Sequence, residues 1–593
     1  MAYYRCFSII LLIFWLITGC ELKKSNSQVN LLDSINQEGK FESNPNENHY
    51  SDKNLLSKNV DSNVNNDLNN INSDTLNVKS FGAIGDGSTN DGNAIQKAIN
   101  ALKENQVLFI PKGIYLITQT LTVKSNITIM GDGNDTRLQY KWGKYSDNKK
   151  LIFGFIITNS KNIVFKNFHI DGGASNYYQV IIDDWKKQTW NVDGAYHLFL
   201  IKPERDFSVS NVKFENLKLS NSFFDAIHTY ARVADKDPKH MSKDLFVKNC
   251  YFSNIGCHGI GVGLVNNVVV ENSQFKNVGL MKILNTGMGS GMAVDASAGS
   301  ENVVIRNNLV DGAGAGFKTE THKNNSGRYL KSKNVIIEGN TIKNLYSDDA
   351  FKIYYGIKAN GLDVKIINNI IESYSHGILL GPEASNCEII GNSIIVNRSD
   401  AAGIRVDKNG GNHKLLRNQI RKSNAQGILV ANSNNILIKS NIIVDSRLDN
   451  IRIAGGRNIS IENNLCANAG TSNISVFPLK GMSITEVTVS DNTCFDVEGN
   501  ILPEKKRLLI SGVSSIKVLN NKLISDNSSS LKRGSNNNIS ESNGIPKSGT
   551  FQKGDFIPKK YNDLNELKKK SILGWICTES GSPGLWAPIS MKL

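Results

Sequence analysis

Two acids and a lysine in the middle of the chain have the clearest chemical potential. Asp295 and Glu320 offer carboxyl groups that can act as acid, base or nucleophile, and Lys318 lies two residues before Glu320. An acid and a base can cleave a glycosidic bond together, and a lysine beside them can hold the carboxylate of an anionic sugar. This residue set therefore indicates chemistry on an acidic carbohydrate.

These residues belong to short segments with a shared pattern, in which an apolar residue, usually Ile, follows Gly or another small residue. Such segments are typical of strands, whose side chains alternate between two faces. If the shared apolar residue points into a core, the first and third residues after it point outward. The outward residues are then His228 and Tyr230, Asp295, Lys318 and Glu320, Lys358 and Asn360, and Arg405 and Asp407.

The alignment takes Met292 as the inward residue of its segment. Asp295, Glu320 and Asn360 should then stack on three consecutive strands about 4.8 Å apart. Carboxyl groups about 5 Å apart form the pair of a retaining glycosidase, and crowding two acids raises the pKa of one of them. Alternatively, Lys318 depresses the pKa of a neighbouring acid, or these residues form only weak surface ion pairs.

The elements that position these residues repeat along the chain. An Asn follows a short β-rich run at intervals of 23 to 32 residues, which is typical of one coil of a solenoid. No long pattern of helical period interrupts the repeats, so the sequence predicts an all-β parallel β-helix. The recurring positions are Asn308, Asn340, Asn369, Asn392, Asn418, Asn441, Asn464, Asn492 and Asn521.

We interpret this Asn column as a structural ladder without chemistry. Asn tolerates left-handed backbone conformations, and its amide can bond to the amides in the coils above and below. Cys466 and Cys494 each lie two residues after a ladder Asn, so they should lie one coil apart. A disulfide between them is sterically possible, but a stack of buried thiols is the commoner outcome.

Residues 78–99 (VKSFGAIGDGSTNDGNAIQKAI) and 107–117 (VLFIPKGIYLI) resemble the start of the pectate-lyase-like superfamily of right-handed parallel β-helices. That superfamily includes polygalacturonases, rhamnogalacturonases, phage tailspikes and epimerases. The resemblance implies an N-terminal capping helix that begins near Asn93, with Asp91 as its cap and glycines in the preceding turns. It is specific for fold and weak for function.

Two further motifs resemble the polygalacturonase branch of that superfamily. Cys257-His258-Gly259 is similar to its G-H-G motif, and Phe224-Asp225 is similar to its paired aspartates with the first replaced by Phe. No counterpart of its N-T-D motif is found in residues 195–203, and Phe317-Lys318-Thr319 resembles its R-I-K motif one coil late. Asp225 and His258 are therefore second-tier candidates, and the alternative is that they shape the turn that enters the strand.

These interpretations yield the following site prediction. The predicted catalytic residues are Asp295, Glu320, Lys318 and His228, and the predicted substrate-binding residues are Lys358, Asn360, Asp225, His258, Arg405, Asp407 and Tyr230. We predict no metal and no cofactor, with Ca²⁺ as the exception if the protein is a lyase.

The N-terminus indicates the compartment. Arg5 precedes an apolar stretch at 7–17 and Thr18-Gly19-Cys20, which together have the parts of a secretory signal. The end of this segment resembles a bacterial lipobox, whose cysteine becomes acylated. We therefore predict a lipoprotein-type signal peptide at 1–20 and an extracytoplasmic protein anchored to a membrane through Cys20. Simple cleavage near Gly19 is the alternative.

Composition divides the rest of the chain. Asn, Ser and Asp dominate 21–75, which we interpret as a disordered tether. The β-helix is predicted at 76–525, a linker at 526–550, and a small C-terminal β module at 551–593.

The chain has 593 residues and a formal net charge of +14, which favours a polyanionic partner. Zinc-finger, helix-turn-helix and Arg-rich patterns are missing from the sequence, so we predict an acidic polysaccharide as the partner and no nucleic acid. The solenoid could be a monomer or a homotrimer.

Three functions fit these features. The leading hypothesis is a glycoside hydrolase acting on a uronate-containing polysaccharide. The first alternative is a polysaccharide lyase or uronate C5-epimerase, in which Lys318, Lys358 or His228 removes the C5 proton. The second is a non-catalytic glycan-binding or adhesion solenoid.

Overall fold

The structure is a computed structural model. The residues it describes are 74–141, 153–174, 196–204, 207–229, 241–280, 291–323, 327, 329–346, 355–398, 400–408, 410–496, 507–524, 556–558, 572–579 and 585–590. The predicted signal peptide with Cys20, most of the predicted tether, the predicted linker and Tyr230 lie outside these residues.

Three long parallel sheets form the body, and all coils but the first and last of the described solenoid contribute one strand to each sheet. The 16 strands of the first sheet are Thr75–Asn77, Val107–Ile110, Ile127–Gly131, Lys161–Lys166, Ser210–Glu215, Ser242–Lys248, Val265–Glu271, Glu301–Arg306, Lys333–Glu338, Leu362–Ile367, Glu388–Ile390, Gly411–Leu416, Asn434–Lys439, Gly456–Glu462, Ile484–Ser490 and Ile516–Leu519.

The second sheet also has 16 strands. They are Asp86–Asn90, Gly113–Ile117, Thr136–Tyr140, His169–Asp171, Lys218–Ser222, Tyr251–Ile255, Gln274–Val278, Leu309–Ala313, Thr341–Lys343, Ile370–Ser373, Ser393–Val396, Gln419–Ser423, Ile442–Val444, Leu465–Ala467, Thr493–Phe495 and Lys522–Ile524.

The third sheet has 14 strands and positions the candidate site. They are Leu121–Thr122, Phe155–Ile157, Phe199–Ile201 (β1), Ile227–Thr229 (β2), Ile260–Gly263 (β3), Met292–Ser297 (β4), Ala315–Glu320 (β5), Tyr355–Ala359 (β6), His376–Leu380 (β7), Ile404–Val406 (β8), Ile428–Val430, Ile451–Ile453, Ile474–Val476 and Leu508–Ile510. The predicted parallel β-helix is confirmed.

Smaller elements accompany the solenoid. A two-stranded antiparallel hairpin, His322–Lys323 with Tyr329–Leu330, follows β5 directly. Near the C-terminus, Phe556–Pro558, Ile572–Glu579 and Leu585–Ser590 form a three-stranded antiparallel sheet, as expected for a small β appendage. Two 3₁₀ turns cover Val78–Phe81 and Gly133–Asp135.

The core lies between the three sheets and is filled by the inward residues of every strand. Most of them are Ile, Val and Leu with no exposed surface. Aromatic rings fill the N-terminal coils, where Phe155 stacks on Phe199 and Phe165 on Phe214 with centroids 5.2 and 5.4 Å apart. Each buried side chain of this size contributes about 1.5–3 kcal/mol, so the repeated pattern itself stabilises the solenoid.

The Asn ladder runs through this core as predicted. Each side-chain amide donates to the side-chain oxygen of the next ladder Asn, at 2.9–3.0 Å, from Asn308 through Asn521. The left-handed conformation belongs instead to the residue before each ladder position, such as Asn307 or Ser440. The predicted left-handed backbone is therefore wrong for the ladder residues themselves.

The cysteine stack is also as predicted. Cys466 and Cys494 are directly paired on adjacent strands of the second sheet, and both are free, buried thiols. Burial raises the pKa of Cys466 well above its ordinary value, and its contact with Cys494 acts in the same direction.

One α-helix, α1 (Gly92–Ala101), packs at the N-terminal end of the solenoid. Its buried residues Ile95, Ala98 and Ile99 belong to the core, and the helix begins one residue before the predicted Asn93. Asp91 precedes the helix but makes no side-chain cap. Its carboxylate instead accepts the backbone N–H groups of Ile84 and Gly85, at 2.7 and 3.0 Å, so it fixes the preceding loop rather than the helix end.

Candidate functional site

The outward residues of the third sheet stack in exact register across consecutive strands. Backbone pairing along β2 to β6 places His228, Gly261, Asp295, Lys318 and Lys358 in one line. A column of side chains with acid and base groups therefore lies on the outer face of the sheet, as the alternation of strand residues requires.

The register differs from the predicted one at β4. Val294, and not Met292, pairs with Ile260 and Phe317 in the core, so Asp295 lies opposite Lys318. The predicted stacking of Asp295 on Glu320 was therefore wrong by two residues. A two-residue shift keeps every side chain on the same face of a strand, so Asp295 still points outward.

Asp295, Lys318, Glu320, Lys358 and Asn360 form a continuous charged row. The Lys318 ammonium lies 3.6 Å from Asp295 Oδ2 and 3.3 Å from Glu320 Oε2. The Lys358 ammonium donates to Glu320 Oε2 at 2.7 Å, and Asn360 Nδ2 donates to Glu320 Oε1 at 2.6 Å. The two carboxylates thus lie on either side of one ammonium group, and Glu320 is the most heavily bonded member of the row.

These contacts decide the charge states in the charged row. Burial acts to raise the pKa of Glu320, but Lys318, Lys358 and Asn360 outweigh it and lower that pKa below its ordinary value. Burial acts to lower the pKa of Lys318, but Asp295 and Glu320 outweigh it and raise that pKa. Glu320 is therefore not an acid with a raised pKa; Lys318 depresses its pKa, as the alternative had it, so Glu320 is ionised and Lys318 is protonated. A protonated Lys318 is a poor base, which counts against its removing a C5 proton.

A second cluster lies where the chain enters the third sheet. His197, Asp225 and His258 occupy equivalent positions three residues before the outward line, on three consecutive coils. Asp225 Oδ2 lies 2.7 Å from Nδ1 of His228, and Asp225 Oδ1 accepts the backbone N–H of His258 at 2.8 Å. His258 Nε2 in turn lies 3.8 Å from Asp295 Oδ2, so this cluster adjoins the charged row.

Burial dominates the electrostatics of the second cluster. Asp225 and His197 have side-chain exposures of 1% and 0%. Burial opposes the charge of Asp225, but His258 and His228 outweigh it, and the pKa of Asp225 lies well below its ordinary value. Burial lowers the pKa of His197 to about 3. The cluster therefore contains an ionised carboxylate beside a neutral imidazole.

Sequence reasoning missed three residues beside these groups. His197 lies in residues 195–203, where the sequence showed no counterpart of the N-T-D motif. It could have been found from its position, three residues before Leu200, which pairs with the outward residue His228. His322 begins the hairpin after β5, and its pKa is lowered by burial and by the charge of Lys318. Tyr355 begins β6, and burial, with Asp295 and Glu320, raises the pKa of its phenol well above the ordinary value.

An apolar patch borders the charged row. Tyr355 packs with Met292, Ala315 and Leu379 in a cluster separate from the main core. The Lys358 ammonium lies 5.9 Å from the centroid of the Tyr355 ring. All four residues of this cluster are buried, so it supports the charged row by packing beside it.

Arg405 and Asp407 lie apart from the charged row. Leu379 of β7 separates Lys358 from Arg405 of β8 along the outward line. Arg405 Nε donates to Asp407 Oδ1 at 2.7 Å, so the two residues form an ion pair with each other. The structure does not bring them to the predicted catalytic residues.

The charged row does not fit the Ca²⁺ ion that we allowed for a lyase. Ca²⁺ takes six to eight oxygen ligands, whereas Asp295 and Glu320 each face an ammonium group in the described residues.

In the part of the chain that the structure describes, no helix is long and apolar enough to span a bilayer.

Three family models match parts of this sequence. Residues 75–318 match the model described as rhamnogalacturonase A/epimerase, pectate lyase-like, and residues 402–550 match a right-handed β-helix region. Residues 318–472 match a model described as periplasmic copper-binding protein (NosD). The resemblance to pectate-lyase-like right-handed β-helices is therefore confirmed.

Individual relatives are distant. The chain is 23% identical over 276 residues to the pre-neck appendage protein of Bacillus phage B103, a match that covers 44% of this chain and 29% of that protein. It is 29% identical over 120 residues to mannuronan C5-epimerase AlgE3 of Azotobacter vinelandii, covering 18% of this chain and 6% of the enzyme. The chain thus spans less than a third of the length of these relatives.

Among solved structures, gene product 12 of bacteriophage phi29 is similar with a TM-score of 0.50. It has 16% sequence identity, and the match covers 78% of this chain and 58% of that one. At this identity the similarity concerns the fold.

Proposed function

We propose that this protein is an extracytoplasmic enzyme that hydrolyses a uronate-containing polysaccharide at the charged row. The observation that carries the proposal is the position of Lys318, whose ammonium lies between the carboxylates of Asp295 and Glu320. Two carboxylates beside a fixed positive charge suit a glycosidic bond next to a carboxylated sugar, because one acid protonates the leaving oxygen while the other acts on the sugar.

The environment of Glu320 suggests its role. Glu320 acts as base or nucleophile, since its lysine partners and Asn360 favour its carboxylate form. The acid role then falls to Asp295, the other carboxyl group of the row, and His258, whose Nε2 lies 3.8 Å from Asp295 Oδ2, is the group that returns a proton to it. Lys318 and Lys358 attract the carboxylate of the substrate.

The test uses a panel of acidic and neutral polysaccharides. New reducing ends and the ultraviolet absorbance of unsaturated uronates are recorded together. We expect reducing ends without absorbance, and a loss of about 100-fold or more in rate for Asp295→Asn and for Glu320→Gln. A wild-type rate in either variant would contradict the assignment.

Glu388→Gln is the matched control. Glu388 lies on the first sheet between Lys365 and Lys414, at 3.5 and 2.9 Å, and its pKa is lowered like that of Glu320. Removing its charge should leave the rate unchanged, because Glu388 and its two lysines lie on another face of the solenoid.

The second candidate function is proton transfer at C5, as in a polysaccharide lyase or uronate epimerase. It is favoured by His322 and Tyr355, since burial keeps this imidazole neutral and this phenol protonated beside Glu320. A neutral imidazole can take the C5 proton and a phenol can return one. The epimerase and lyase names of the matching model and relative agree with this chemistry.

C5 chemistry is distinguished by exchange of the C5 hydrogen with solvent deuterium. If it operates, deuterium enters the polymer or the unsaturated absorbance rises, and His322→Gln and Tyr355→Phe abolish both signals. Binding without any product, unchanged in Asp295→Asn/Glu320→Gln, would instead favour a non-catalytic adhesion module.

We also propose that the protein is tethered to a membrane outside the cytoplasm through Cys20. The support is the lipobox-like sequence at its N-terminus and the periplasmic protein named by the family model that matches residues 318–472. Cys20→Ser should shift the protein from the membrane fraction to the soluble extracytoplasmic fraction.

A further inference from the structure

Three side chains at the entrance of the third sheet have no role in the proposed hydrolysis. His197, Asp225 and His228 each offer one ligand atom, and these atoms lie within 4.8 Å of one another. Asp225 Oδ2 lies 2.7 Å from His228 Nδ1 and 3.9 Å from His197 Nδ1. Two imidazole nitrogens and a carboxylate oxygen thus converge on one small volume.

His197 is the unusual member of this group. It has no exposed surface, and neither ring nitrogen has a hydrogen-bond partner in the described part of the chain. Leaving a buried polar group unpaired costs about 1–3 kcal/mol, so such a group needs an explanation. The edge of Phe224 and the stacked ring of Phe153 hold the imidazole in place, with its other face against His228.

Gly261 keeps space open beside the other two ligand atoms. A Cβ at this position would lie 2.9 Å from Asp225 Oδ2 and 3.0 Å from His228 Nδ1. A side chain here would force Asp225 or His228 to shift, whereas glycine leaves the pair in place. Gly261 therefore leaves the outward line without a side chain beside this pair.

In contrast to the sequence-based prediction of no metal, we propose that His197, Asp225 and His228 bind one divalent transition-metal ion. Imidazole and carboxylate donors suit Zn²⁺ and its neighbours in the first row, whereas Ca²⁺ and Mg²⁺ prefer all-oxygen sets. Side-chain rotation of His228, which is 24% exposed, turns its nitrogen from Asp225 toward the ion. Asp225 is already oriented, because its second oxygen accepts the backbone N–H of His258.

The test is calorimetric titration of the chelator-treated full-length chain with Zn²⁺. We expect one ion to bind per chain, with affinity reduced about 100-fold or more in His228→Gln and in Asp225→Asn. Co²⁺ should give visible absorption bands of a nitrogen and oxygen site, and His228→Gln should lose them. Zn²⁺ should raise the Tm of the wild type and not that of His228→Gln.

His413→Gln is the control variant. His413 is also buried, with an unpaired Nε2, but it lies on the first sheet without a carboxylate in an equivalent cluster of the described residues. This variant should bind one Zn²⁺ with wild-type affinity. His228 lies on the outer face, so its replacement should leave the metal-free circular dichroism spectrum unchanged.

Three outcomes would overturn the proposal. They are no stoichiometric Zn²⁺ binding by the wild type, wild-type affinity in His228→Gln, or an equal loss of affinity in His413→Gln.

Discussion

At the residue scale, the cations around Glu320 decide what its carboxylate can do. Lys358 and Asn360 donate to its two oxygens, and Lys318 lies 3.3 Å away. Charged hydrogen bonds of this kind contribute about 1.5–3 kcal/mol each when formed by a partly buried group. The folded state therefore binds a proton at Glu320 less readily than the unfolded state does.

This linkage predicts a pH-dependent stability. Because the pKa of Glu320 is lower in the folded protein, its contribution is complete above the unfolded pKa of about 4.3 and is lost as the pH falls through the folded pKa. Wild type should exceed Glu320→Gln in free energy of unfolding by about 2 kcal/mol at neutral pH, and the difference should shrink as the pH falls below about 4.3. Urea unfolding at several pH values measures it.

The lysine partner supplies the control for this prediction. In Lys358→Met the carboxylate loses one donor, so the folded pKa of Glu320 rises and the added effect of Glu320→Gln fades at a higher pH. A difference that stays constant with pH would show that Glu320 contributes by packing alone.

The sequence predicted which residues form the charged row but not which of them contact each other. Strand alternation was enough to place Asp295, Lys318 and Glu320 on the outer face. The two-residue shift at β4 was invisible, because Met292 and Val294 are both apolar and lie two residues apart, so strand alternation alone does not distinguish them. The pKa of Glu320 depends on two lysines meeting one carboxylate, and such distances are not encoded in spacing.

At the element scale, the Asn ladder is the part of the fold that the sequence predicted best. Asn418 shows why each position is specific. Its amide donates to Asn441 Oδ1 and to the carbonyl of Ile389, and its oxygen accepts both the backbone and the side-chain N–H of Asn392. Loss of this one side chain leaves several buried polar groups without partners.

Asn418→Ala should therefore reduce the free energy of unfolding by about 3 kcal/mol or more, since each unpaired buried group costs about 1–3 kcal/mol. Asn435→Gly is the matched control, because Asn435 belongs to an exposed Asn stack and Gly tolerates its φ of 57°. We expect the control to lose less than about 1 kcal/mol. Equal losses in the two variants, measured by urea unfolding, would contradict the buried ladder as the source.

The role of Asp91 could not be predicted from the sequence pattern of the helix alone. An acid before a helix usually predicts a cap, and the sequence around α1 fits that rule. The loop before α1 needs acceptors for the N–H groups of Ile84 and Gly85, and the Asp91 carboxylate accepts these instead of a helix N–H group. The competition between a helix end and a loop is settled by loop geometry, which the sequence does not reveal.

At the scale of the whole molecule, each coil contacts mainly its two neighbours, as in other solenoids. The effect of a core defect should then decay along the axis. We predict that Asn418→Ala accelerates amide hydrogen exchange in the adjacent strands of the first sheet, Gly411–Leu416 and Asn434–Lys439, and leaves Val107–Ile110 near its wild-type rate. Mass spectrometry measures the exchange rate in all three strands. An equal acceleration of exchange in all of them would indicate one global folding unit.

The direction of the Asn ladder has a consequence for how such a chain can evolve. Every amide from Asn308 onward donates toward the C-terminal neighbour, so each coil presents the same donor on one side and the same acceptor on the other. A coil is therefore a self-compatible module, and duplicating a segment of one ladder interval leaves both junctions bonded. Unequal recombination between such repeats could lengthen or shorten the protein without disturbing a residue of the candidate site.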